Sequence, residues 1–211
     1  TSWVSPSVTL EVNIIGTSNL FEAVRQAKID PVIQIACSSE EYGLVKPEET
    51  PIKETNPLRP QSPYGVSKVA MDYLGYQYFC SYGMKIIRTR GFNHTGPRRG
   101  DTFVTSNFAK QIAMIETGLI PPVVKTGNLD SMRTWADVRD AVRAYYLLVT
   151  VNPVPGEYYN IGGAYSCTVG DMLKYLISIS SKDGIKVESE SSRFRPLDAD
   201  LQIPDTSKFK Q

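Results

Sequence analysis

The chain has 211 residues, with 23 lysines and arginines against 22 aspartates and glutamates and a formal net charge of +1. That length suffices for one sizeable core or for a core with a small lobe, and basic residues scattered along the chain argue against nucleic acid as a partner. No apolar run is long enough to cross a bilayer, and the opening TSWVSPSVTLEVN lacks the basic and apolar regions of a signal peptide, so a cytoplasmic location and no membrane partner are expected.

In chain order, Leu10, Val12, Ile15, Leu20, Ala23 and Val24 recur at helical intervals and predict a helix over 9–27. PVIQIACSS follows as a short β-rich run ending in small polar residues. The proline-rich ETPIKETNPLRPQSP is a loop, SPYGVSKVAMDYLGYQYFCSYG a long helix closed by Gly83, and MKIIRTRGFN the next strand. Three further helices are predicted at FAKQIAMIETG, VRDAVRAYYLLV and TVGDMLKYLISISS, separated by loops at HTGPRRGD, LIPPVVKTGN and VNPVPGE. The αβαβ order predicts an α/β fold, a parallel sheet with helices on its faces. Cys37, Cys80 and Cys167 are odd in number and far apart, which fits reduced, mostly buried thiols better than a disulfide frame or a metal site.

Open parallel sheets bind ligands at the carboxyl ends of their strands. Ser38, Ser39 and Glu40 follow one strand, Asn93 and His94 follow the next, and Tyr64 and Lys68 open the helix between them. Tyr64 and Lys68 are one helical turn apart, so phenol and ammonium share a face, and a neighbouring cation eases loss of the phenolic proton. Such a tyrosine can take a proton from a carbinol while a nicotinamide takes the hydride, and Ser38 can donate a hydrogen bond to the new carbonyl oxygen. Glu40 adds a second possibility, removal of a proton beside that carbonyl and loss of a neighbouring hydroxyl. Taken singly each feature has a plainer explanation: a Tyr–Lys pair is usually a solvated surface pair, Ser-Ser-Glu a turn or cap, and His94 a bonded loop residue.

Together CSSEEYG, SPYGVSK, RTRGFNHTGPRRGDTFVT, GNLDSMRTWADVRDAV, YYNIGG and FRPLDADLQIPDTSKF resemble the extended short-chain dehydrogenase/reductase family. The likeness is to its nucleotide-sugar branch, the GDP-mannose 4,6-dehydratases and the GDP-4-keto-6-deoxymannose reductases. It implies a Rossmann-like doubly wound parallel sheet with a small C-terminal substrate-binding lobe. The implied division gives 1–95 and about 125–150 to the dinucleotide-binding part, and about 96–124 and 151–211 to the lobe. Tyr64 and Lys68 fall on the family's YxxxK pair, which also meets the cofactor. Ser38 falls on the Ser/Thr position of its triad, and Glu40 on the glutamate that dehydratases use at C5. Asn93, Thr105, Arg133, Arg195 and Asp198 fall on positions that contact the sugar nucleotide. The resemblance further implies NADP, or NAD, as cofactor, a GDP-sugar as substrate, and a homodimer or tetramer formed by the helices over 62–81 and 9–27.

Departures divide the branch. Ser106 and Asn107 after FVT, Asp198 after FRP, Glu41 and DVRDAV look less like the dehydratases, whereas GPRRGD, FRP and Glu40 look more like them. Glu40 tips the balance narrowly to the dehydratase, with the reductase, or another nucleotide-sugar epimerase or dehydratase, as alternative and a catalytically silent dinucleotide-binding protein as the reading from another class. No G-x-G-x-x-G or G-x-x-G-x-x-G occurs, although such a loop ordinarily cradles the dinucleotide pyrophosphate. The expectation is therefore a fragment lacking roughly the first third of an enzyme on domain-size grounds, and a short C-terminal piece, with the strand near Val32 to Ala36 left as an unpaired edge.

Overall fold

In the computed structural model, residues 2–194 and 200–210 are described. Six α-helices occur among them: α1 (Pro6–Leu10), α2 (Gly16–Gln26), α3 (Pro63–Tyr82), α4 (Val104–Glu116), α5 (Val138–Thr150) and α6 (Val169–Ser178). A π-helical turn, Glu11–Ile15, joins α1 to α2, so the helix expected over 9–27 is one continuous rod that starts earlier, at Pro6. Nine short strands accompany them: β1 (Ile33–Ala36), β2 (Ile86–Gly91), β3 (His94–Thr95), β4 (Val123–Thr126), β5 (Met132–Asp137), β6 (Tyr158–Ile161), β7 (Tyr165–Thr168), β8 (Lys186–Ser189) and β9 (Leu201–Gln202).

The first sheet is wholly parallel, in the order β1-β2-β6, with Ile33 opposite Ile86 and Gly91 opposite Ile161. β2 is its centre, buried from Ile86 to Arg90, whereas β1 pairs on one edge only among the described residues. Side-chain alternation along β2 assigns a helix to each face. Ile86 and Arg88 meet α3 at Gly75, while Thr89 and Gly91 meet Tyr145 of α5. Phe21, Ile35, Cys37, Met71, Tyr78, Met84 and Ile86 form the core between this sheet and helices α2 and α3. Gly75 is required there, since a Cβ would stand 2.4 Å from Ile35 Cδ1.

The remaining strands build a mixed sheet, in which β5 pairs with β3 and β9 in parallel and with β7 in antiparallel, and a separate parallel pair, β4 with β8. A second core of Phe108, Ile112, Ile115, Val124, Val169 and Leu173 lies between α4, α6 and β4. The segment LIPPVVKTGN, expected as a loop, contains β4: its two valines form a strand of four residues, too short to read between flanking proline and glycine. Cys37 and Cys167 are buried as expected, but Cys80 is exposed, because its position on α3 faces away from the sheet.

Candidate active site

α3 starts where its sequence says it should. Ser62 caps it by accepting the Gly65 N–H at 2.9 Å, Pro63 occupies the first turn, and Gly83 ends it with φ of 66°. Asp72 and Gly75 face the sheet, Ser67 and Tyr78 meet Asn13 and Glu22 of the N-terminal helical rod, and Tyr64, Lys68 and Asp72 follow one another at four-residue steps along a single stripe. The helix N-terminus abuts the turn after β1 so closely that a Cβ on Gly65 would lie 2.7 Å from the Glu40 carbonyl oxygen.

That turn is a single 3₁₀ segment, Ser39–Glu41, capped by Ser38. Ser38 Oγ accepts the Glu40 N–H at 3.2 Å, and the Glu41 carboxylate accepts the Ser38 N–H at 2.9 Å, a reciprocal capping box. It sets Ser38 beside Tyr64, close enough for the serine hydroxyl to lower the phenol's pKa. Lys68 Nζ donates to Ala36 O at 2.8 Å and lies 5.5 Å from the centre of the Tyr64 ring. The structure thus brings Ser38, Glu40, Tyr64 and Lys68 to one place at the carboxyl end of β1.

The electrostatics differ from the simple expectation of an acidified phenol. Burial raises the Tyr64 pKa, the Ser38 hydrogen bond lowers it, and Glu40, Glu41 and Cys37 raise it further. Burial also holds Lys68 below the ordinary lysine value. Lys68 directs one N–H at the Ala36 carbonyl, and the serine hydroxyl rather than the ammonium is what lowers the phenol.

The second group of expected residues lies around the next strand end. Asn93 connects β2 to β3, and its carbonyl accepts the Ala136 N–H at 3.0 Å. Thr105, in the first turn of α4, shares a hydroxyl hydrogen bond of 3.0 Å with Thr95 of β3. Arg133 is buried on β5, the strand that pairs with β3. Asn93, Thr105 and Arg133 are therefore tied together through β3 and β5, just past the end of β2. His94 Nδ1 is 3.1 Å from the Phe92 carbonyl oxygen, a local loop contact. Arg195 and Asp198 lie outside the described residues.

Sequence reasoning missed the polar network under this site. Asp72 is fully buried and accepts Arg88 Nη1 at 2.6 Å and Arg90 Nε at 2.8 Å. Arg90 Nη1 donates to the Tyr42 hydroxyl at 3.1 Å and to the Glu54 carbonyl at 2.9 Å, and Tyr42 donates to Asn160 Oδ1 at 2.7 Å. The four-residue step from Lys68 to Asp72 is the one sequence signal that pointed inward.

The family model described as GDP-mannose 4,6 dehydratase matches residues 1–211. The chain belongs to the GDP-mannose 4,6-dehydratase family. A family member from Yersinia enterocolitica, GDP-mannose 4,6-dehydratase, is 40% identical over 190 residues, 89% of this chain and 49% of that protein. GDP-6-deoxy-D-mannose reductase of Pseudomonas aeruginosa is 30% identical over 190 residues, 90% of this chain and 62% of that one. The chain thus spans about half to three-fifths of the length of these two relatives. Among solved structures, RMD from Pseudomonas aeruginosa complexed with NADPH superposes with a TM-score of 0.91 at 27% identity, over 99% of this chain and 68% of that one. Thermus thermophilus UDP-glucose 4-epimerase complexed with NAD gives 0.84 at 28% identity, over 99% and 66%. These neighbours confirm the Rossmann-like α/β fold, and no described helix is long and apolar enough to cross a membrane.

Proposed function

We propose that the protein containing this chain is a GDP-mannose 4,6-dehydratase, converting GDP-mannose to GDP-4-keto-6-deoxymannose and water. The observation that carries this is the meeting of Ser38, Tyr64, Lys68 and Glu40 at one strand end, since the first three suffice for carbinol oxidation and Glu40 adds the base that elimination needs. NADP is the proposed cofactor, with NAD as alternative. The donor set suits its nicotinamide-ribose end: Lys68 uses one N–H on Ala36 and keeps two for ribose hydroxyls beside Tyr64. When bound, the nicotinamide supplies the reversible hydride exchange.

The side chains divide the remaining work. Tyr64, its hydroxyl held by Ser38, exchanges the proton of the sugar's 4-hydroxyl. Ser38 Oγ–H then donates to the 4-keto oxygen. Glu40 takes the C5 proton, acidified by the adjacent ketone, and passes it to the departing 6-hydroxyl as water. The 5,6-alkene so formed takes back the C4 hydride at C6 and, at C5, a proton equivalent to the one Tyr64 removed from O4. Asn93, Thr105, Arg133, Arg195 and Asp198 are the proposed holders of the nucleoside diphosphate, Arg133 suiting its oxygens through its planar fork. The proposed division keeps 1–95 and about 125–150 with the dinucleotide-binding part and about 96–124 and 151–211 with the lobe, except that Tyr158–Ile161 joins the first sheet through β2.

The reductase is the second reading, favoured by the 30% identity to GDP-6-deoxy-D-mannose reductase of Pseudomonas aeruginosa over 90% of this chain. It needs Tyr64 as proton donor to the 4-oxygen and leaves Glu40 without a task. Tyr64→Phe should lower turnover by about 10²- to 10⁴-fold under either reading, while Glu40→Gln should abolish dehydration and spare reduction. Val8 of α1, Val12 and Ile15 of the π-helical turn, Leu20 of α2 and Val66, Tyr73 and Tyr76 of α3 are exposed large apolar side chains, which we assign to pairing of two copies.

A further inference from the structure

The proposed chemistry leaves one buried carboxyl unused. Glu41 is fully enclosed next to Ser38. Its Oε1 accepts the Ser38 N–H at 2.9 Å, but its Oε2 receives no hydrogen bond from any donor among the described residues. Arg90 Nε lies 3.2 Å from Oε2, yet its single proton is directed at Asp72 Oδ2, 2.8 Å away. The other Asp72 oxygen takes Arg88 Nη1 at 2.6 Å. The Glu41 and Asp72 carboxyl oxygens and Cys37 Sγ lie within 4.8 Å of one another. An ionised Glu41 would leave a dry carboxylate oxygen without a donor and facing a second carboxylate, the costliest arrangement for such a group. A proton on Oε2 removes both problems, because Glu41 then donates to Asp72.

We propose that Glu41 is a positioning residue that keeps its proton at neutral pH and shares it with Asp72, clamping the Ser38 turn to the helix that carries Tyr64 and Lys68. Asp72 is on the same α3 stripe as Tyr64 and Lys68, so the shared proton fixes the serine side of the site relative to the tyrosine side. Loss of the proton places two charges in the cluster and loosens the turn. This inference rests on the reading of Ser38, Tyr64 and Lys68 as catalytic groups.

Every neighbour of the pair bears on its titration. From β1, the Cys37 thiol faces it, pushed well above its ordinary value by burial and by the two carboxyls. From α3 come Asp72 and the Lys68 ammonium, and from β2 come Arg90 against both carboxyls and Arg88 against Asp72. Tyr42, raised by its own burial, caps Arg90 from the following segment, where Glu54 contributes its carbonyl. Burial first, then Asp72, push Glu41 up to about 8, against the pull of Arg90.

The test compares wild type, Glu41→Gln and Glu41→Leu in the protein expressed from its complete gene. Glutamine keeps an oxygen for the Ser38 N–H and a donor for Asp72; leucine keeps neither. With a folded pKa near 8 and an unfolded value near 4.3, the contribution of Glu41 to stability is full below the unfolded value and is lost as pH rises through 8. The unfolding midpoint of wild type should therefore fall relative to Glu41→Gln from about pH 4.3 up to about pH 8 and level off above it. A ¹³C-carboxyl resonance missing from the glutamine variant should titrate near 8. In turnover at pH 7, Glu41→Leu should lose about tenfold in kcat with KM little changed, the glutamine variant should recover most of it, and only wild type should decline above pH 8. Parallel pH profiles for wild type and Glu41→Gln, or a glutamine variant no better than leucine, would overturn the proposal. Absence of wild-type turnover on the proposed substrates would count against the functional reading alone, since the unfolding and resonance measurements still decide the proton.

Discussion

Asp72→Asn isolates the electrostatic centre beneath the site. Asp72 is fully buried, with Arg88 and Arg90 5% and 4% exposed, so neither guanidinium has water to turn to. Asparagine preserves volume and one acceptor but removes the charge and turns an N–H₂ donor toward a guanidinium. Breaking one partner of a buried ion pair costs about 3–5 kcal/mol. Glu41 offsets part of this: 3.2 Å from Arg90 Nε and relieved of Asp72, it ionises more readily and takes over that arginine. Arg88 has no second carboxylate among the described residues. The net expectation is the low end of the range, about 3 kcal/mol. With a urea slope of about 2 kcal/mol/M, the unfolding midpoint should drop by about 1.5 M at pH 7. Equilibrium urea unfolding followed by tryptophan fluorescence measures it. A loss below about 1 kcal/mol would refute the idea that Asp72 is the main counter-charge of both buried guanidiniums.

Further outcomes follow from the same geometry. Gly65→Ala inserts a Cβ 2.7 Å from the Glu40 carbonyl oxygen and should cost about 1–3 kcal/mol while lowering kcat more than KM, measured by urea unfolding and steady-state kinetics. Tyr64→Phe should leave equilibrium binding of the GDP-sugar intact while removing turnover, as read by calorimetry beside the activity assay; lost binding would instead favour a structural role. Replacing exposed Tyr73 and Tyr76 of α3 by glutamate should convert dimers to monomers in sedimentation velocity, and an unchanged sedimentation coefficient would remove that surface as the interface.

What the sequence revealed and what it hid have physical causes. The α3 helix announced itself through local chemistry, with Ser62 as cap, Pro63 in the first turn and Gly83 as stop, so the shared face of Tyr64 and Lys68 could be foreseen. Ser38 was legible because small polar residues after a short apolar strand mark a strand end at the sheet's carboxyl edge. Glu41 and Asp72 were not, because an isolated carboxylate in a sequence reads as solvated. Only the parallel pairing of β1 with β2 delivers Arg88 and Arg90 to them. The short strands of the second half, such as β4 and β5, were obscured for a related reason: four to six residues between proline and glycine carry little periodicity, and their partners β8 and β7 come from far along the chain. The direction of the Tyr64 shift also needed the structure, since burial raises the phenol and the lowering influence comes from Ser38 rather than from the cation expected to acidify it.

Dehydration of GDP-mannose at this site is the proposal that Glu40 carries. The most direct measurement incubates the protein, expressed from its complete gene and carrying only its bound cofactor, with GDP-mannose and follows the sugar nucleotide by mass spectrometry. The account predicts a product lighter by one water, formed without consumption of added NADPH and lost in Glu40→Gln. An unchanged GDP-mannose, together with NADPH oxidation when the 4-keto-6-deoxy sugar is supplied, would contradict it and make the protein a reductase.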